Sequence, residues 1–126
     1  MINEVFAASF AKEWITAWNE RDIRKILSHY SDNFTMHSPL ITEFSPEDSG
    51  IMHGKEKVKK YWENALNKLP ELNFKLLHVL SGVNSITIVY SGIFGVTAEV
   101  FEFNLDAKVS TSTAHYSINN LRNVSD

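Results

Sequence analysis

The feature that most constrains this chain is a change of period at Pro70. Before that proline, apolar residues recur at spacings of three and four; after it, they recur at every second position. The two periods cannot be exchanged without turning the apolar set toward water. The chain therefore reads as helices first and a sheet second. Residues 4–19 place Phe6, Phe10, Ala11, Trp14, Ile15 and Trp18 on one stripe. The run "NERD" at 19–22 interrupts it, and Asp22 suits the N-cap of a short second helix whose inner face is Ile23, Ile26, Leu27 and Tyr30. A third helix presents Val58, Tyr61, Trp62, Ala65, Leu66 and Leu69 and stops at Pro70.

Between the second and third helices, residues 34–38 predict a first strand ended by Pro39, which holds Ser38 extended and cannot donate to a ladder. A loop rich in Ser, Pro, Asp and Gly follows at 42–54. Beyond Pro70, Phe74, Leu76, His78 and Leu80 are expected on one strand face. "GVNS" then turns into Ile86, Ile88 and Tyr90. After a turn at Gly92–Gly95, Glu99, Phe101 and Phe103 alternate with Val100 and Glu102. "LDAK" turns into a last strand with Ser112, Ala114 and Tyr116 on one face and Thr111, Thr113 and His115 on the other. The order is α-α-β-α-β-β-β-β, a single α+β domain over residues 1–126 with helices packed on a curved antiparallel sheet. The concave side of such a sheet is the default ligand site.

Composition limits the function classes. A net charge of −3 leaves no cationic excess to neutralise phosphates, so neither nucleic acid nor an anionic membrane is an expected partner. The cluster Lys55, Lys57, Lys59 and Lys60 is broken by Glu56 and reads as the solvated face of a helix. The absence of cysteine excludes disulfides, thiolate nucleophiles and Cys-based metal sites. The five histidines, His29, His37, His53, His78 and His115, lack ligand spacing, so no metal and no cofactor is expected. No apolar run reaches membrane-spanning length and no signal-peptide pattern opens the chain, which implies a cytoplasmic protein.

Four stretches, "AWNERDIRKILSHYSDNFTMHSP", "HGKEKVKKYW", "NKLPELNF" and "EVFEFNLDAKV", follow one another in an order that resembles the NTF2-like superfamily, in its SnoaL-like and ketosteroid-isomerase-like branch. The resemblance covers roughly residues 5–118 and implies a cystatin-like cone, three helices of the N-terminal half packed on a curved, mostly antiparallel mixed sheet. It also implies sheet-to-sheet dimers. The fold hosts isomerases, cyclases, dehydratases, hydrolases and non-enzymatic partners, so it does not by itself give an activity. Bacterial ketosteroid isomerases of this branch use a tyrosine in helix one, an aspartate before the proline ending strand one, and a protonated aspartate on a late strand. The matching positions here are Trp14, Ser38 and Glu99. A serine without a partner is no base, and an indole replaces the phenol. Steroid isomerisation is therefore not expected.

Glu99 shares its face with Phe101 and Phe103, so its carboxyl points toward the apolar interior, where burial favours the neutral form and makes it a candidate acid/base. The bland alternative is a glutamate at a strand end paired with a lysine. Ser38 is expected to face the pocket, and Tyr30 is either a pocket group or a core tyrosine. His53 is the histidine best placed for catalysis, because the loop before helix three often rims the mouth in this family. Trp14, Trp18, Met36, Trp62, Tyr90, Phe101 and Tyr116 are expected to line the cavity. Two functions stand side by side. One is a pocket protein that binds a compact, largely apolar small molecule, with cofactor-free acid/base catalysis of isomerase, cyclase or hydrolase type. The other is a non-enzymatic dimeric binding module whose cavity is filled by its own aromatics. In both, a homodimer packed through the outer sheet face is expected, with Leu77, Val79, Val89, Val100, Thr111, Thr113 and His115 on that face.

Overall fold

The computed structural model describes residues 2–45 and 48–118. Helix α1 (Glu4–Asn19) is followed by α2 (Ile23–Leu27), strand β1 (Tyr30–His37), a short helix α3 (Leu40–Phe44), β2 (Ile51–His53), α4 (Lys55–Lys68) and the strands β3 (Lys75–Ser81), β4 (Ser85–Gly92), β5 (Gly95–Phe103) and β6 (Val109–Tyr116). The six strands form one sheet in the order β2-β1-β6-β5-β4-β3. β1 and β6 run parallel, and every other neighbouring pair is antiparallel. The sheet is the curved, mostly antiparallel mixed sheet expected, under the expected helices.

Local chemistry accounts for the helix ends. The Asn3 side chain accepts from the Val5 and Phe6 amides at 2.7 and 3.3 Å, and Asp22 caps α2 by accepting from the Lys25 amide at 3.1 Å. Gly54 precedes α4 with φ 90° and ψ 141°, a conformation that L side chains rarely adopt. A methyl group there would meet no atom within 4 Å, so only backbone strain opposes it. Gly54→Ala is expected to cost about 1–3 kcal/mol. Urea unfolding checks this, and an unchanged midpoint with an unchanged slope would contradict it.

The stripe of α1 is buried as its spacing requires. Phe10 packs edge-on to Phe101 and Phe103 at centroid distances of 5.0 and 5.1 Å, and Trp14 packs on Phe74, Tyr90 and Phe101 at 5.7, 5.3 and 5.3 Å. Trp18 meets Trp62 of α4 at 5.1 Å. Two long-range polar ties fix these layers. The Asn19 side chain exchanges a reciprocal pair of hydrogen bonds with the Phe74 backbone at 2.9 and 2.6 Å. The Arg21 guanidinium donates to the carbonyls of Leu66, Leu69, Pro70 and Leu72, satisfying the end of α4 and the loop beyond it.

Several expectations need correction. Tyr30 does not close α2; it opens β1, which starts four residues earlier than the alternation at 34–38 indicated. The stretch read as a loop contains α3 and β2, so the order is α-α-β-α-β-α-β-β-β-β, with four helices. Pro39 does stop the strand as expected, β1 closing at His37, but it leads straight into α3 with helical dihedrals (φ −58°, ψ −27°) instead of opening a loop. In β3 the register shifts between Leu76 and His78. The bulge turns Val79 onto the core side, opposite the buried Ile88, and leaves His78 and Leu80 exposed. Phe74, Leu76, His78 and Leu80 therefore do not share one face, and Val79 is not on the outer one.

Candidate active site

Three rows of side chains cross the concave face. Tyr90, Thr97 and Tyr116 are register partners in the first; Ile88, Glu99 and Ala114 in the second; Ile86, Phe101 and Ser112 in the third. Strand alternation alone puts Glu99 on this face, since Thr97, Phe101 and Phe103 are buried beside it. The helices close over the first two rows. The resulting cavity is walled by Trp14 and Trp18 from α1, Tyr61, Trp62 and Ala65 from α4, Phe74 before β3, and Met36 and Ser38 at the end of β1. Leu40 and Phe44 of α3 and Ile93 and Phe94 of the β4–β5 hairpin complete it, with Ile93 exposed at the rim. The free volume is about 90 Å³. An engineered apolar cavity of about 150 Å³ takes benzene, so this space suits a compact molecule or the end of a larger one.

Glu99 is 7% exposed, and Tyr90 donates its hydroxyl hydrogen to the Oε1 atom at 3.3 Å. No Lys, Arg or His lines the cavity among the described residues. Burial without a counter-charge pushes the Glu99 carboxyl up to about 7, only partly offset by the Tyr90 hydrogen bond. Burial and the Glu99 charge push the Tyr90 and Tyr116 phenols well above their ordinary value, so both remain neutral donors. Ser38 is buried on the cavity wall, where its Oγ accepts from the Leu40 amide at 3.2 Å and lies within side-chain hydrogen-bonding reach of Tyr116. The serine at the end of the first strand thus has an interior role. It shapes the turn into α3 and sits beside a pocket phenol.

Among the residues singled out from the sequence, Glu99, Ser38, Trp14, Trp18, Met36, Trp62, Tyr90 and Tyr116 come together around this cavity. Phe101 lies beneath Trp14 in the core and is not on the cavity wall. Tyr30 is not on the wall either. Its hydroxyl accepts the Trp14 indole N–H at 2.9 Å behind the cavity, where burial raises its pKa. His53 projects from β2 on the exposed side, with Nδ1 hydrogen-bonded to Thr35 Oγ1 at 2.9 Å, and it does not reach the cavity. Wall residues not anticipated include Thr97, Tyr61, Phe74 and Ala114. Thr97 and Ala114 share the parity of Glu99 and Tyr116, which was the available signal. Leu40 and Phe44 had none, because α3 itself had none.

Residues 11–120 match the SnoaL-like domain. The chain belongs to the SnoaL-like family. A SnoaL-like protein of unknown function from Burkholderia thailandensis is 45% identical, with a TM-score of 0.88 over 92% of this chain and 98% of that one. SalBIII, an epoxide hydrolase/cyclase-like enzyme in pyran ring formation of the polyether salinomycin, is 15% identical with a TM-score of 0.73, over 95% of this chain and 97% of its own. A cystatin-like-fold protein of unknown function from Methylobium petroleophilum is 14% identical with a TM-score of 0.72, covering 92% of this chain and 78% of that one. The last two likenesses carry the fold alone. No protein of curated function matches the chain in sequence. The SnoaL-like chain thus has the NTF2-like architecture that its sequence resembled, and no helix among its described residues is long and apolar enough to cross a membrane.

Proposed function

We propose that this SnoaL-like protein binds a compact, largely apolar small molecule against Glu99 and exchanges a proton with it, in cofactor-independent chemistry of isomerase, cyclase or hydrolase type. One observation carries the reading: a buried carboxyl with no counter-charge, pushed up to about 7 by burial, stands in an apolar cavity beside two neutral phenols. A group that is part acid and part base at working pH suits general acid/base catalysis. Tyr116 and Ser38 supply hydrogen bonds to orient a polar atom. The epoxide hydrolase/cyclase-like SalBIII supports this class of reaction on the same fold.

The small free volume favours a second reading, a binding module that does no chemistry and whose cavity its own aromatics nearly fill. A mixture of compact ring and branched-chain fragments, read by quenching of the tryptophans in the wall, tests the cavity as a ligand site. Ala114 lines it as the register partner of Glu99, and Ala114→Leu adds three carbon atoms to that space. Fragments are expected to quench the wild type and to lose at least tenfold in affinity in Ala114→Leu, with Tm held within a few degrees. Equal quenching of both proteins would overturn the reading.

We also propose that two copies pack through the outer sheet face. That face presents Val89, Val100, Thr111 and Thr113 half-buried, with Leu77, Leu80, Val96 and His115 exposed. A β-branched, weakly charged sheet face of this extent favours a two-fold partner. Light scattering at micromolar concentration is expected to give twice the 14.4 kDa chain mass. A monomer mass would end this proposal.

A further inference from the structure

We propose that the cavity is a site for a small organic cation, an alkylammonium whose charge lies beside Glu99 and whose carbon atoms lie against the aromatic wall. The inference rests on the reading of this cavity as a ligand site and names the chemical class of its occupant. The wall holds one carboxylate and no cation, and apart from polar hydrogens such as the Tyr90 hydroxyl its lining is largely apolar and aromatic. The faces of aromatic rings are electronegative, and the rings of Trp14, Trp18, Trp62, Phe74, Tyr90 and Tyr116 all contribute to the lining. Glu99 is the one charge-bearing carboxyl on that wall among the described residues, and no basic side chain stands with it. A buried carboxylate without a counter-ion is costly, and a bound ammonium would supply the missing charge. An anion would meet that carboxylate at low dielectric, so anionic ligands are disfavoured.

The hydrogen-bonding groups fit the same class. An ammonium offers three donors and needs acceptors. The Glu99 carboxylate, the Tyr116 hydroxyl and Ser38 Oγ provide them on the cavity wall. The free volume of about 90 Å³ limits the buried part of the ligand to a handful of non-hydrogen atoms. The titratable groups around Glu99 are Tyr90 on β4, Tyr116 on β6, Tyr30 on β1 and Tyr61 on α4, and burial raises all four. None changes charge between pH 5 and pH 8, so any change in cation preference across that range belongs to Glu99.

Isobutylammonium chloride and its neutral isostere isobutanol test the assignment, titrated calorimetrically and by tryptophan fluorescence. At pH 8 the amine is expected to bind at least tenfold more tightly than the alcohol. The preference should shrink severalfold at pH 5.5, where Glu99 takes up its proton while an alkylamine keeps its charge, and it should vanish in Glu99→Gln. If the alcohol binds as tightly as the amine at pH 8, the cation assignment falls and the pocket reading stands. Retention of the amine preference in Glu99→Gln also overturns it. Binding of neither probe overturns it as well, and the pocket reading is then decided separately by the fragment mixture and Ala114→Leu.

Discussion

Glu99→Gln is expected to be more stable than the wild type at pH 8, and the advantage should largely disappear at pH 4.5. The carboxyl titrates near 4.5 in the unfolded chain and near 7 in the folded one, chiefly because burial disfavours its charge. Between those values the folded state holds a proton that the unfolded state has released. The contribution of Glu99 to stability is therefore fully present below pH 4.5 and lost as pH rises through 7. At about 1.4 kcal/mol per pH unit, the interval corresponds to about 3 kcal/mol. For a domain of this length that is about 10 °C in Tm. Glutamine keeps the shape and cannot ionise, so the difference between the two melting curves isolates this residue from every other carboxylate. A difference that does not change with pH would mean that Glu99 ionises normally, and the acid/base role would go with it. Turnover of any substrate found for the cavity should also vanish in this variant, because the amide neither gives nor takes a proton at neutral pH.

That the group at issue is Glu99 was legible from alternation. A carboxyl in phase with Phe101 and Phe103 is either interior or at a strand end paired with a lysine, and the buried place of Glu99 in the middle of β5 decides for the first. The same reasoning reached α1, α4, β4 and β6, where long runs of one period leave little choice of face. It failed where the stabilising contacts are distant. Strand β2 is three residues long and exists because Met52 and its neighbours pair with Thr35, Met36 and His37. Helix α3 has five residues and no side-chain cap. Neither has enough local signal to compete with the Ser, Pro, Asp and Gly around it. The bulge in β3 breaks an alternation that looked continuous, and only the facing strand reveals it.

The polar partners divide in the same way. Asp22 caps its own helix three residues on and was recognisable. Arg21 gathers carbonyls between 45 and 51 residues away and was not. Tyr30 shows the limit most clearly. The apolar pattern around it makes its side chain interior, as it is, but interior is not the same as cavity-facing. The hydroxyl could satisfy itself on a ligand or on a neighbour, and the neighbour is the Trp14 indole. Of the two places open to this tyrosine, pocket or core, its hydrogen bond with Trp14 holds it in the second.

That hydrogen bond makes Trp14 the residue whose loss should be felt most. The side chain is 1% exposed and contacts Trp18, Phe74, Tyr90 and Phe101, so it joins α1 to three parts of the sheet side. Removing a buried tryptophan side chain costs about 3–5 kcal/mol through lost burial and the hole left behind. Stranding the Tyr30 hydroxyl without its donor adds about 1 kcal/mol or more. Trp14→Ala is therefore expected to lose roughly 4–6 kcal/mol, a large part of the 5–15 kcal/mol that holds an ordinary domain together. Its Tm should fall by at least about 15 °C. A milder pair of substitutions separates packing from hydrogen bonding. Trp14→Phe leaves the Tyr30 hydroxyl without its donor, and Tyr30→Phe leaves the indole N–H buried without an acceptor. The double variant leaves neither stranded, so it should cost about 1 kcal/mol less than the sum of the two single changes. Additive costs would show that the bond contributes nothing beyond its packing. In that case Tyr30 would be held away from the cavity by shape alone, and a ligand that displaced the indole could recruit it.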